Sequence, residues 1–155
     1  MKLIVSTFSF SLSRAFYQYF NSCDIDLPTN YVRLPLLSHI NFCFNNIEGS
    51  LPMFQNVEQI ELFANQFTGS IPTEYGLLGN LTQLGLDLNL RINGTVPSEL
   101  MKCDKLSLLS LHNTGISGNI TFCGSLGENL VVKVNDVSIC GEECECCCET
   151  LFSGI

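Results

Sequence analysis

The sequence predicts a solenoid of the α/β type, with short parallel strands joined by 3-10 or irregular return legs. Three observations carry the prediction. A block made of spaced apolar residues, one asparagine and a Gly-x-apolar-Pro close recurs along the chain at fixed offsets. The first half of the block alternates apolar and other residues, the period of a strand with one buried face. The block repeats every ~20 to 25 residues, too short for a unit with a core of its own, so neighbouring units must stack.

The copies can be taken in order. The first reads Leu37-x-x-Ile40-x-Phe42-x-x-Asn45-x-Ile47-x-Gly49-x-Leu51-Pro52, and the second Val57-x-x-Ile60-x-Leu62-x-x-Asn65-x-Phe67-x-Gly69-x-Ile71-Pro72. The third is Leu81-x-x-Leu84-x-Leu86-x-x-Asn89, then one inserted residue, then Ile92-x-Gly94-x-Val96-Pro97. The fourth, Leu106-x-x-Leu109-x-Leu111-x-x-Thr114-x-Ile116-x-Gly118-x-Ile120, replaces the asparagine by Thr114 and the proline by Thr121. A fainter upstream copy places Phe16, Asn21, Cys23, Leu27 and Pro28 in frame with Ile40, Asn45, Ile47, Leu51 and Pro52. The first and second copies are closely spaced because Pro52 to Val57 omits the half-turn kept between Pro72 and Leu81.

Each position has a physical reading. The x-Leu-x-Leu-x core is a strand whose alternate side chains point inward. The asparagine ends it, with amide donors and acceptor to satisfy backbone groups in the turn. An unpaired buried backbone group costs about 1–3 kcal/mol, so Asn45, Asn65 and Asn89 should stack as a structural ladder. The glycines suit a tight bend, and the prolines open a return leg that needs no ladder donor. Short 3-10 turns are expected there, as at Ser98 to Leu100.

The pattern LxxLxLxxNxLxGxIPxxL, over roughly Ser13 to Leu126, resembles the plant-specific class of leucine-rich repeats. That class is found in receptor-kinase ectodomains, receptor-like proteins, polygalacturonase-inhibiting proteins and stand-alone algal and protist proteins. The resemblance implies a curved right-handed horseshoe with a parallel sheet on its concave face, and often a second short strand from the Gly-x-Ile-Pro segment. An enzyme-inhibitor role is a minor implication of the same likeness. Plant members usually open with a Trp-bearing, cysteine-paired cap; this chain has no Trp, and nothing in it resembles a kinase.

Residues 13–126 are therefore read as a solenoid of four to five repeats, preceded at 1–12 by a leader peptide or a truncated repeat. Residues 127–155 are read as a last strand near Leu130 to Val134 and a cysteine-rich end. The chain has nine cysteines, a number that points to an oxidising, extracellular or cell-surface setting. Cys140, Cys144, Cys146, Cys147 and Cys148 crowd one short run, and no second CxxC or His pair keeps step with them, which argues against a metal site. Adjacent cysteines bond one another poorly, so Cys103 and Cys123 are expected partners in a disulfide-stapled cap. The odd count leaves at least one thiol unpaired, shared between chains or paired outside this sequence.

The net charge of −8 and the scatter of seven Lys and Arg exclude a nucleic-acid surface. No stretch approaches the ~20 apolar residues of a membrane-spanning helix. Three Asn-x-Thr sequons, at Asn80, Asn93 and Asn119, are glycosylation candidates; Asn80 should lie on the outer leg, with Asn93 and Asn119 partly shielded by adjoining core positions. The default binding surface is the concave face, at the strand positions the repeat leaves free: Asn41, Cys43, Phe44, Glu61, Phe63, Asp87, Leu88, Ser110 and His112. Cys43, Phe63, Asp87 and His112 should form one row, and Phe44, Phe63 and Leu88 an apolar patch. Asp87, His112 and Ser110 lie on an open face with no oxyanion hole or nucleophile elbow, so no enzyme and no cofactor is expected. The reading is a non-catalytic recognition module for a protein, peptide or glycan. The alternative is a structural surface component crosslinked through its cysteine tail to a disulfide-linked partner.

Overall fold

The computed structural model describes residues 37–120 and 130–135, and the backbone alone of Ala15–Tyr17 and Cys148–Thr150. The strands in chain order are β1 (Ala15–Tyr17), β2 (His39–Asn41), β3 (Glu48–Ser50), β4 (Gln59–Glu61), β5 (Gln66–Gly69), β6 (Gln83–Gly85), β7 (Arg91–Gly94), β8 (Leu108–Ser110), β9 (Gly115–Ile116), β10 (Val131–Val134) and β11 (Cys148–Thr150). They form two parallel sheets. The longer runs β1-β2-β4-β6-β8-β10-β11, and the shorter β3-β5-β7-β9. Each coil contributes one strand to the long sheet, so sequence order is spatial order.

The register follows the repeat. Ile40, Ile60, Leu84, Leu109 and Val132 lie opposite one another across successive strands, and Phe16 of the faint upstream copy faces Ile40. All but Phe16, whose side chain is not described, are nearly inaccessible to solvent. With Phe42, Leu62, Leu86, Leu111 and Val134 they fill the interior between the sheet and the return legs. Burying each such side chain is worth about 1.5–3 kcal/mol relative to exposure. The short sheet is built from the segment around the second apolar position, where Ile47, Phe67 and Ile92 point inward. The cysteine-rich end, expected only as a cap, adds strand β11, with Cys148 opposite Val132. Pairing there satisfies an edge that would otherwise present unbonded backbone groups.

Among the described residues the return legs carry 3-10 helices and no α-helix. Thr73–Leu77 and Ser98–Lys102 each follow a proline in extended conformation, Pro72 and Pro97, which start the turn without giving up a ladder donor. These legs pack closely: a Cβ on Gly76 would sit 2.3 Å from the Glu99 carbonyl oxygen. In the short first copy, where no such helix forms, Phe54 and Tyr75 fill the space. Phe54 is buried against the Tyr75 ring at 6.2 Å, and the Tyr75 hydroxyl donates to the Pro52 carbonyl at 2.8 Å.

The asparagines form a ladder. Asn65 Nδ2 donates to the carbonyls of Leu62 and Phe63 in its own coil and of Phe42 in the coil before, while Oδ1 accepts the Ile47 N–H. Asn89 repeats the pattern with Leu86, Asp87 and Leu62, and accepts the Phe67 N–H at 3.1 Å. Asn45 donates to Phe42 and Cys43. Thr114 makes a reduced version: its hydroxyl donates to the Leu111 carbonyl and accepts from Ile116 N–H.

Asn89 is wholly buried, so Asn89→Ala strands one donor and several acceptors. Urea titration should show a loss of about 2–4 kcal/mol, against about 1 kcal/mol for Thr114→Ala. Equal losses at the two positions would contradict the ladder as the source.

Candidate functional site

The concave face is the outer side of the long sheet, where residues alternating with the core positions emerge. Pairing sets the rows. Asn41, Glu61, Gly85, Ser110 and Lys133 lie in one. Two residues on, Cys43, Phe63, Asp87 and His112 form the next, as their spacing requires.

The chain leaves the sheet through a repeated kink. Phe44, Ala64, Leu88 and Asn113, each one residue before a ladder position, all have φ of 56–57°. This left-handed conformation costs a non-glycine residue about 1–2 kcal/mol, and it turns the side chains of Phe44 and Leu88 to solvent. Phe44 is 63% exposed, and its ring meets Phe63 edge-on at 4.9 Å and 85°. Leu88 is 45% exposed. The aromatic pair thus stands on a rigid sheet corner, with Phe44 mostly exposed and Phe63 partly covered.

Several expected contact residues are engaged within the protein instead. Cys43 is buried rather than part of the exposed row. Burial, with Glu61 and Asp87 adding to it, pushes its thiol up to about 12. Asn41 Nδ2 donates to Glu61 Oε2, and its Oδ1 accepts the Cys43 N–H at 3.2 Å. Asp87 Oδ1 accepts both the Ser110 hydroxyl at 2.6 Å and the His112 backbone N–H at 2.9 Å, while the His112 ring pairs with Asn113 Nδ2 at 3.1 Å. Ser110 itself is buried. The hydroxyl is therefore committed to the carboxylate and not to the imidazole, and the three residues make a structural clasp between coils, not a proton relay.

Cys103, expected in a disulfide, is a free and fully buried thiol whose Sγ donates to the Tyr75 carbonyl at 3.3 Å. It caps the second 3-10 helix from inside the core, and burial raises its pKa. Cys123, Cys140, Cys144, Cys146 and Cys147 lie outside the described residues, as does the side chain of Cys148. No group of three or more His, Cys, Asp or Glu among the described residues is placed to hold a metal ion. Asn80, Asn93 and Asn119 are all exposed. Asn93 and Asn119 alternate with the buried Ile92 and Ile120, which puts them on the outside, not in the partial shelter their neighbours suggest.

The sequence reading missed other features. Leu77, Leu90 and Met101 are exposed apolar residues away from the concave face; Leu90 is the one-residue insertion of the third copy, the signal that could have marked it. An open groove of about 590 Å³ on the flank is lined by polar and apolar groups alike, among them Ser70, Thr95, Val96, Pro97, Glu99 and Asn119. Among the described residues no helix is long and apolar enough to cross a membrane.

Comparison with known proteins agrees with this geometry. No family model matches the chain. Over 86 residues, 54% of the chain, it is 34% identical to Receptor-like protein 43 of Arabidopsis thaliana, covering 12% of that protein. It is 32% identical over 87 residues to Receptor-like protein 39 of the same plant, covering 56% of the chain and 10% of the relative. The chain thus spans about a tenth of the length of the curated relatives it matches. Its fold superposes on the ectodomain of the Arabidopsis receptor kinase HAESA, solved in complex with an extended IDA peptide hormone, with a TM-score of 0.62 and 28% identity, over 70% of this chain and 20% of that one. The fold is that of a plant-type leucine-rich repeat solenoid, and the chain is similar by sequence to plant receptor-like proteins and by fold to plant receptor-kinase ectodomains.

Two predictions follow from the buried thiols and the kinks. Cys43, Cys103 and Tyr75 all have raised pKa values in the folded chain, chiefly through burial. Unfolded cysteine ionises near pH ~8.5, so above that pH the unfolded chain sheds protons that the folded chain keeps. Stability should be level up to about pH 8 and fall steadily towards pH 12. Urea midpoints followed against pH should show this, with a shallower alkaline fall in Cys43→Ala. At the kink, asparagine tolerates the left-handed region better than leucine, so Leu88→Asn should gain about 0.5–1 kcal/mol and raise Tm by a few degrees.

Proposed function

We propose that this chain is a non-catalytic recognition module that binds a protein or peptide through its concave face, outside the cell. The observation that carries this reading is the Phe44–Phe63 pair: two aromatic rings in edge-to-face contact on the concave corner, one of them mostly exposed. Exposed aromatic surface on a stiff support is what contact hot spots are made of, because little conformational freedom is lost on binding. The similarity to the HAESA ectodomain, whose structure holds a peptide hormone, favours a peptide or protein over a glycan. The Ser110–Asp87 clasp supports a non-catalytic role. The likeness to receptor-like proteins and the exposure of all three sequon asparagines support an extracellular setting.

The test is selection of a displayed random peptide library on the full chain, followed by affinity measurement of the selected peptides. The double variant Phe44→Ala and Phe63→Ala should keep the wild-type circular dichroism spectrum and lose binding about a hundredfold, as removal of two hot-spot anchors does. Selected peptides that bind the double variant as well as the wild type would place recognition elsewhere.

A further inference from the structure

The three sequon asparagines are all exposed, but the fold uses them differently. Asn80 Oδ1 accepts a hydrogen bond from Lys105 Nζ at 2.7 Å, and Asn93 Nδ2 donates to the Arg91 carbonyl at 3.3 Å. The Asn119 amide makes no hydrogen bond among the described residues. Asn119 is also the one sequon asparagine that lines the flank groove of about 590 Å³. That volume falls within the ~300–1,000 Å³ range of small-molecule clefts.

The backbone holds Asn119 at this groove. Gly118 precedes it at φ 84°, and a Cβ on Gly118 would lie 2.9 Å from Thr95 Cγ2, so the turn is pressed against the coil before. Ile120 follows it into the core. Ser70, Thr95 and Asn119 each come directly after a positive-φ glycine, and all three are exposed on successive coils. The groove crosses those coils. Its floor is closed by the buried Ile71, Val96 and Pro97, so a ligand can cover it but not enter the core. Its rim carries the Ser70, Thr95 and Ser98 hydroxyls and the Glu99 carboxylate. None of these side chains makes a hydrogen bond among the described residues. The groove is thus open, lined by unused hydroxyls, and has an acceptor asparagine in its wall.

We infer that Asn119 carries an N-linked glycan whose first sugars lie in the flank groove. In the attachment, Asn119 Nδ2 displaces the pyrophosphate of a lipid-linked oligosaccharide at the anomeric carbon of N-acetylglucosamine, loses one proton and keeps one N–H. The sugar hydroxyls then meet those of Ser70, Thr95 and Ser98, and the Glu99 carboxylate accepts the strongest of the new bonds. A free sugar gains too little from such contacts to offset its lost freedom. A tethered one starts from an effective concentration of about millimolar, because its linker is short. The glycan covers the flank and leaves the concave face as the open surface. The inference rests on the extracellular setting proposed above and adds which sequon has a seat for its sugar.

The test uses the full chain secreted from a eukaryotic cell line, with the three sequons mapped by mass spectrometry. Asn119 should be occupied. Amide exchange over residues 95–99 should be about tenfold slower in the glycosylated chain than in Thr121→Ala, which keeps Asn119 but loses the sequon. Trimming the outer sugars of the wild type should keep this protection, and releasing the whole glycan, which converts Asn119 to aspartate, should abolish it, so the readout does not depend on one variant. Occupancy at Asn80 or Asn93 with Asn119 bare would overturn the inference and leave the extracellular setting standing. An Asn119 glycan that leaves exchange over residues 95–99 unchanged would give the groove to another occupant and overturn it too. A secreted chain with no sugar at any of the three would overturn the inference and remove the sequons as support for an extracellular setting.

Discussion

Each coil of this molecule must turn sharply at the end of a strand while staying in van der Waals contact with the coils on either side. A turn made there buries backbone N–H and C=O groups that no sheet partner reaches. The asparagine ladder is the answer to that constraint. One amide side chain at Asn65 or Asn89 accepts an N–H and donates to carbonyls of two coils, so a single residue per repeat joins both the turn and the stack. Apolar burial supplies most of the favourable free energy, but it is non-directional. The ladder fixes where each strand stops, and hence which residues face the core and which face outwards.

The kink before each ladder position follows from the same geometry. To aim the asparagine inward, the preceding residue enters the left-handed region whatever its identity, and here it is Phe44, Ala64, Leu88 and Asn113. Only Asn113 is a residue type at ease there. The conformational cost at Phe44 and Leu88 is borne by the surrounding hydrogen bonds, which over-determine the turn. The result is that side chains at these positions are projected from a rigid corner. The exposed Phe44 ring beside Phe63 is a by-product of the device that closes the coil.

Much of this was legible in the residues. The offsets of Ile40, Ile60, Leu84 and Leu109 gave the register of the long sheet, and Phe16 took its expected place opposite Ile40. The repeat encodes those positions because every coil has to solve the same packing problem. Positions the repeat leaves free were harder. Cys43 looked exposed by alternation, yet it is covered. Asp87, Ser110 and His112 looked like free contact positions of the binding face, and their hydrogen bonds make them a clasp. Cys103 looked like a disulfide half, and proved to be a core residue because the second 3-10 helix ends directly over it. Side-chain rotamers and lateral contacts decide such cases, and no periodicity reports them. Strand β11 was hidden for a different reason: a three-residue strand in a cysteine-dense segment has no alternation long enough to read.

These internal bonds narrow what the concave face has left to offer a partner. A polar group already satisfied within the protein adds little on binding, because the partner must replace an existing bond and not a water molecule. Asn41, Ser110 and the backbone of His112 fall in that class, and Cys43 is out of reach. What remains is apolar surface at Phe44, Phe63 and Leu88, and spare acceptors on Glu61 and Asp87. Apolar area of this kind supplies affinity with little discrimination, whereas unused carboxylate oxygens favour one sign of charge over the other. Discrimination between partners on this face therefore falls to the carboxylates of Glu61 and Asp87, and affinity to the Phe44 and Leu88 side chains.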